Sequence, residues 1–205
     1  MNHPLTDALA ARNSANFFDP DLAVDDERIH ALIGWATRAP TAFNLQNWRF
    51  IAVRSPAGKQ RLRELAWNQP KVSEASITFI VLGVLPQAQW LRDRLRPSVE
   101  AGFMPPAMVP AWEAAAGRLY ADAPRTQRDE AVRSATFGAA ALMQAGQAEG
   151  LSASPMTGFD AAGVAQAFGL RQDEVPVMLV AMGYARDGNW PQKPRRPVAD
   201  VLELA

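Results

Sequence analysis

The sequence predicts a single domain of mixed helices and strands, and three observations carry that expectation. Three apolar runs, Trp48 to Val53, Ile77 to Leu85 and Val175 to Gly183, are rich in Ile, Val and Phe. They lack clean alternation, which marks strands covered on both faces. Segments with helical spacing and helix-end residues surround those runs. The 205 residues contain no internal repeat, low-complexity tract or linker, so residues 1–205 are expected to fold as one unit around one core.

Taken in order, Pro4 to Arg12 reads as a short helix capped from Asn2. Asp26 to Thr37 opens on Asp25, Asp26 and Glu27, which suit the positive end of a helix dipole. Pro40 stops that helix and biases Ala39 toward an extended conformation. Ala57 to Ala66 carries Leu62 and Leu65 at helical spacing, and Trp67-Asn68-Gln69-Pro70-Lys71 is a polar connector into the second strand. Pro86 to Pro124 holds Pro97, Pro105, Pro106 and Pro110 together with Trp90, Phe103, Trp112 and Tyr120. It is expected as broken helices lying over the sheet, with a pocket lid, a dimer contact or a surface excursion all open as its use. Arg128 to Glu149 is the longest helix, ending at Gly150, and its small residues Ala135, Gly138, Ala139, Ala140 and Ala145 let another helix come close. Ser154 to Asp160 reads as a Pro-Gly turn before a helix over Ala161 to Phe168. The tail from Asn189 to Pro197, rich in Pro and Arg, is expected to be extended.

Composition removes several functions. Lys plus Arg equal Asp plus Glu at 21 each, so no global positive field draws nucleic acid or an anionic membrane. No run approaches the ~20 apolar residues of a membrane span, and Met1 to Ala11 lacks the pattern of a signal peptide. Cysteine is absent and His3 and His30 are the only histidines, too few for an ordinary zinc site. A reducing cytoplasm is the expected location. The sequence has no phosphate loop, no dinucleotide glycine fingerprint and no nucleophile elbow. An enzyme so poorly supplied with reactive side chains needs a cofactor to carry its reaction.

Four segments offer groups for one. Ala-Pro-Thr-Ala-Phe-Asn-Leu-Gln-Asn-Trp, Ala39 to Trp48, is richer in hydrogen-bonding groups than a connector requires, with Thr41, Asn44 and Gln46 set between Pro40 and Trp48. Flat heterocycles with alternating donors and acceptors suit such a loop; an ordinary helix-to-strand turn also fits. Arg12-Asn13-Ser14 at one end of the chain and Lys193-Pro194-Arg195-Arg196-Pro197 at the other concentrate cations able to share one phosphate through charge-assisted bonds. Gly158 lets backbone approach a flat ligand closely.

In these segments the chain resembles the nitroreductase family of FMN-dependent NAD(P)H oxidoreductases, compact bacterial type. Ala39 to Trp48 is similar to the family's A-P-S-x-x-N-x-Q-P-W flavin loop, with Thr41 for the usual Ser and Asn47 for the usual Pro. Arg12 and Ser14 match its R-x-S, Lys193 and Arg195 its K-x-R, Asn68 and Lys71 its N-x-x-K, and Pro155 to Asp160 its P-x-x-G-F-D. Asn16 stands where the family often has a base, and Arg196 is the candidate to compensate. Arg128 to Arg133 resembles a branch described as quinone or nitroaromatic reductases.

The resemblance implies an α+β fold, with a central, mostly antiparallel sheet flanked by helices, in an intertwined homodimer. It implies bound FMN and NADH or NADPH as co-substrate. Arg12, Asn13, Ser14, Lys193 and Arg195 would hold the phosphate. Asn68 and Lys71 would lie near the ribityl chain and pyrimidine edge, and the backbone of Pro155, Met156, Thr157 and Gly158 near N5 and O4. Pro40, Thr41, Asn44 and Gln46 would serve the partner's flavin, and the C-terminal tail would embrace the partner. The Ala-rich long helix is the expected dimer seam. No side chain is assigned a catalytic role. Phe103, Trp112 and Tyr120 are candidates for the substrate pocket, although each also suits packing. The expected activity is ping-pong hydride transfer to an electron-poor acceptor such as a quinone or nitroaromatic, with an FMN-binding carrier or sensor as the alternative.

Overall fold

A computed structural model describes residues 3–205. The described chain forms four strands, β1 (Trp48–Val53), β2 (Ile77–Val84), β3 (Ser152–Met156) and β4 (Glu174–Gly183). It also forms eight α-helices, α1 (Pro4–Ala11), α2 (Asp26–Ala36), α3 (Pro56–Leu65), α4 (Lys71–Glu74), α5 (Leu91–Glu100), α6 (Met108–Tyr120), α7 (Pro124–Ala148) and α8 (Ala161–Ala167). The strands pair in the order β1-β2-β4-β3, every neighbour antiparallel.

Side chains of the inner strands point alternately to two separate cores. Ile77, Phe79, Val81, Val180 and Met182 meet Leu32 of α2 and Ala135, Ala139 and Leu142 of α7. Ile80, Leu82, Leu179 and Ala181 meet Leu62 of α3, Val72 of α4 and Val164 of α8. Every position of β2 is buried, which is why its sequence is continuously apolar. The one polar side chain within it, Thr78, donates to the carbonyl of Val72 at 3.0 Å.

Helix ends follow local chemistry. Asp25, Ser55 and Asp160 accept backbone N–H bonds from Arg28, Gly58 and Gly163, capping α2, α3 and α8. The expected cap of α1, Asn2, lies outside the described residues; the His3 ring accepts from the Leu5 N–H at 3.2 Å. α7 begins a turn earlier than expected, with Pro124 in its first turn. It closes at Gly150 in the left-handed region, where the Leu151 N–H reaches the carbonyl of Gly146 at 2.8 Å.

Three expectations are corrected. Ser152–Met156 is an edge strand rather than part of a turn. Its text, Ser-Ala-Ser-Pro-Met, has weak strand propensity, and an edge position tolerates the missing N–H of Pro155. The small residues of α7 receive the sheet inside the chain rather than another helix. A side chain at Gly138 would meet the Phe50 ring at 3.0 Å, and one at Gly83 would meet the Ala131 carbonyl oxygen at 2.3 Å. The sheet therefore seats directly on this face of α7, whereas Phe137 is 49% exposed. The third correction concerns residues 86–124, which do not cover the sheet. α5 and α6 form a cluster of their own, in which Leu91, Leu95, Val109 and Tyr120 surround Leu45.

Candidate functional site

Ser14 forms a parallel bridge to Ala153 of β3, and the Ala15 N–H donates to the Ala153 carbonyl at 3.1 Å. This docks the segment after α1 onto the edge strand. The tail returns to the same place. Asn13 Nδ2 donates to the Trp190 carbonyl at 2.8 Å, and Gln192 Nε2 donates to the carbonyls of Leu9 and Arg12 at 3.1 and 2.8 Å. Asn189 Oδ1 accepts from the Asn16 and Phe17 N–H groups, while its amide donates to Phe17 and Arg186 carbonyls. The two ends of the chain thus enclose a cleft of about 110 Å³ lined by Arg12, Asn13, Ser14, Lys193 and Arg195.

Lys71 opens α4 beside this cleft. Its Nζ donates to Ser154 Oγ at 3.0 Å and Asn16 Oδ1 at 3.3 Å. Burial, and then the neighbouring charge of Lys193, hold its pKa below the ordinary lysine value. None of Arg12, Lys71, Lys193 and Arg195 forms an ion pair with a described carboxylate. In a chain of zero formal net charge, that is a local positive field with no internal counterion. Arg196 does not compensate for the missing base at position 16: it turns away to Asp200, donating to its carbonyl at 2.9 Å.

The Gly158 loop is locked to the 67–71 connector. Gln69 Nε2 donates to the Gly158 carbonyl at 3.0 Å, and the Asp160 N–H to the Leu65 carbonyl at 2.8 Å. Trp67 and Asn68 both sit in the left-handed region, which turns the Trp67 ring onto Gly158. A Cβ at Gly158 would stand 2.6 Å from that ring, so the glycine lets the Trp67 ring lie against the loop, and a side chain there would displace it. Met156 buries its side chain in the core and Pro155 faces outward, leaving backbone as what this loop offers.

The fourth segment lies elsewhere. Asn47 at the mouth of β1 is wholly buried and ties to the far end of β2, donating from Nδ2 to the Val84 carbonyl at 2.9 Å. Lys71 stands level with Thr78, through the Val72 carbonyl. Six strand residues separate those levels, roughly 20 Å along the sheet. One chain therefore gathers Arg12, Asn13, Ser14, Asn68, Lys71, the 155–158 loop, Lys193 and Arg195, but not Pro40, Thr41, Asn44 or Gln46. The latter loop turns back through left-handed conformations at Phe43, Asn44 and Gln46. The Gln46 N–H donates to Thr41 Oγ1 at 2.9 Å, and Gln46 Nε2 to Asn44 Oδ1 at 3.2 Å.

The candidate pocket rings separate. Phe103 is 86% exposed on the turn between α5 and α6, and Tyr120 is 2% exposed. Tyr120 and Trp112 pack edge-on against Phe43, with centroids at 6.4 and 5.9 Å, so both serve the loop as packing. Sequence reasoning passed over Gln69, Asn189 and Gln192, which join the segments. Gln69 and Gln192 lie inside or beside the matched segments, a usable signal; Asn189 offered only its place after Gly188, which is left-handed. The described residues contain no cluster of metal-ligating side chains and no helix long and apolar enough to cross a membrane.

Comparison with known proteins gives one consistent answer. The model of the nitroreductase family matches residues 9–184. The Bacillus subtilis protein YdgI, named as an NAD(P)H nitroreductase, is 30% identical over 198 residues, 95% of this chain and 94% of its own. Protein DrgA of Synechocystis is 35% identical over 182 residues, 86% of this chain and 82% of its own. A nitroreductase-type protein from Exiguobacterium sibiricum, solved in complex with FMN, superposes with a TM-score of 0.90 at 28% identity, covering 100% of this chain and 99% of that one.

Proposed function

Because the chain belongs to the nitroreductase family, we propose that it is an FMN-dependent NAD(P)H oxidoreductase acting on an electron-poor acceptor such as a quinone or nitroaromatic. The observation that carries this reading is the convergence, at one end of the sheet, of four cations with no carboxylate between them. The fit to FMN rests on that donor set. Burial and Lys193 disfavour the charged form of Lys71, and a bound anion relieves both effects. Arg12, Lys193 and Arg195, with Asn13 and Ser14, bind the phosphate. Gly158 and its neighbours give a flat ring access to backbone, with the Trp67 ring lying against Gly158.

FMN held here would supply hydride chemistry at N5 for a ping-pong exchange between NADH or NADPH and the acceptor. Lys71 would hold the pyrimidine edge, and its positive charge would favour negative charge there. No described histidine lies in this site, and no side-chain acid or base is assigned. Residues 1–205 form the single domain of one protomer. The 40–46 loop, roughly 20 Å from the cationic cleft on its own chain, completes the site of a partner, so that the active unit is a homodimer.

The purified protein is expected to be yellow with noncovalent FMN, to bleach anaerobically with NADH or NADPH, and to recover with a quinone. Colourless protein that takes up no added FMN contradicts the proposal. Bound FMN that neither nucleotide bleaches makes the protein a carrier or sensor instead.

A further inference from the structure

Left-handed backbone at a non-glycine residue is strained and persists only where surrounding structure holds it. The loop after α2 has three such residues within four positions, Phe43, Asn44 and Gln46. Its restraints come largely from α5 and α6. Leu45 is 0% exposed among Leu91, Leu95, Val109 and Ala116. The Phe43 ring is fixed by Trp112 and Tyr120. One polar restraint crosses from α5: Arg94 Nη1 donates to the Gln46 carbonyl at 2.9 Å.

Arg94 differs from the arginines beside it. Arg92 pairs with Glu113 and Arg96 with Asp93, both at the exposed surface. Arg94 is half-buried and has no ion pair among the described residues. Its guanidinium lies over the Trp90 ring, 5.3 Å from the centroid, one helical turn back along the chain. Burial lowers its pKa. A cation desolvated in this way, with its plane set by an indole and its N–H on a strained backbone, fixes the conformation of that backbone.

We infer that Arg94 is a positioning residue: it presets the Asn44–Gln46 backbone in the geometry with which this loop meets the flavin of the partner subunit. The inference rests on the shared FMN site proposed above. It also gives residues 86–124 a use, as the scaffold of the loop rather than a cover over the sheet.

The test compares wild type, Arg94→Met and Arg94→Lys for affinity toward FMN and riboflavin, with the thermal midpoint of the FMN-free protein measured alongside. Because Arg94 acts through the Gln46 carbonyl rather than on phosphate, Arg94→Met is expected to weaken FMN and riboflavin by the same factor, roughly tenfold for a lost bond to a charged group. Arg94→Lys, which keeps the charge and can still reach a carbonyl, is expected to restore part of it. Hydrogen exchange in Arg94→Lys is expected to quicken at residues 42–47 and to stay unchanged in β2 and β4. Wild type that binds no FMN overturns the proposed function itself. Wild type that binds, with Arg94→Met within twofold for both flavins, overturns the positioning role alone. So does a loss confined to FMN, which marks a charge acting on phosphate. If Arg94→Met fails to fold, Arg94→Lys decides: exchange unchanged at residues 42–47 overturns the inference.

Discussion

The two ends of the sheet are built by opposite means. At the end where β3 begins, separate stretches of chain are tied by hydrogen bonds to backbone, from Asn13, Gln69, Asn189 and Gln192, around cations with no counterion. At the end where β1 begins, a single loop is forced into left-handed conformations and held from behind by an apolar cluster and Arg94. The first region is complete as a receptor for an anion but offers one wall. The second is complete as a presented surface and has nothing in its own chain to meet. Under the proposed function the difference assigns binding to one region and display to the other, with a homodimer joining them.

The largest effects should fall on the binding end. Arg12→Ala and Arg195→Ala are each expected to cost about 1.5–3 kcal/mol of FMN affinity if each makes a charge-assisted bond. Riboflavin, titrated in parallel, should lose little; equal losses for both flavins would assign these arginines to the fold instead. Gly158→Ala pushes the Trp67 ring off the loop, since the ring stands 2.6 Å from the new Cβ. Displacing a packed side chain costs about 1–3 kcal/mol, and here the ring is exposed and able to swing. The expected result is weaker binding of FMN and riboflavin alike, with a small change in the apo thermal midpoint.

Lys71→Met should act on the electrons more than on the affinity. Removing the charge is expected to lower the FMN reduction potential and slow reduction by the nucleotide, and an unchanged potential in a spectroelectrochemical titration would take Lys71 out of the site.

The smallest effect at neutral pH belongs to the displayed end. Burial, and then the charge of Glu130, raise the Tyr120 pKa to about 12 from the ordinary tyrosine value of 10.0. A raised pKa means that the folded chain keeps the proton more tightly. That stability is fully present below pH 10 and is lost as pH rises from 10 toward 12. Tyr120→Phe should therefore change little at pH 7 and flatten the alkaline fall, measured by urea titrations across that range.

Legibility in the sequence followed the same division. β2 and the second half of β4 were readable because strands covered on both faces are continuously apolar, and β1, an edge strand that is only half-buried, was readable from its Trp, Phe, Ile and Val. β3 was not, because its strand character comes from pairing with β4 and docking of Ser14, neither visible in Ser-Ala-Ser-Pro-Met. The residues proposed to bind FMN were legible as matched segments, and their meeting at one cleft is geometry that no local pattern contains. The placement of residues 86–124 was misread because proline and aromatic content says that helices break, without saying what they pack against. The small face of α7 was misassigned for a related reason: small residues announce close approach and leave the neighbour unnamed, here β1 and β2.

The shared site is tested most directly by mixing two inactive variants, one changed at Thr41 and Asn44, the other at Arg12 and Arg195. A heterodimer then holds one site without a lesion and one with both. Activity should return after subunit exchange, toward about half the native value per heterodimer if the sites act independently. If mass spectrometry confirms exchange and no activity returns, each flavin is bound by one chain alone, and the displayed loop has another use.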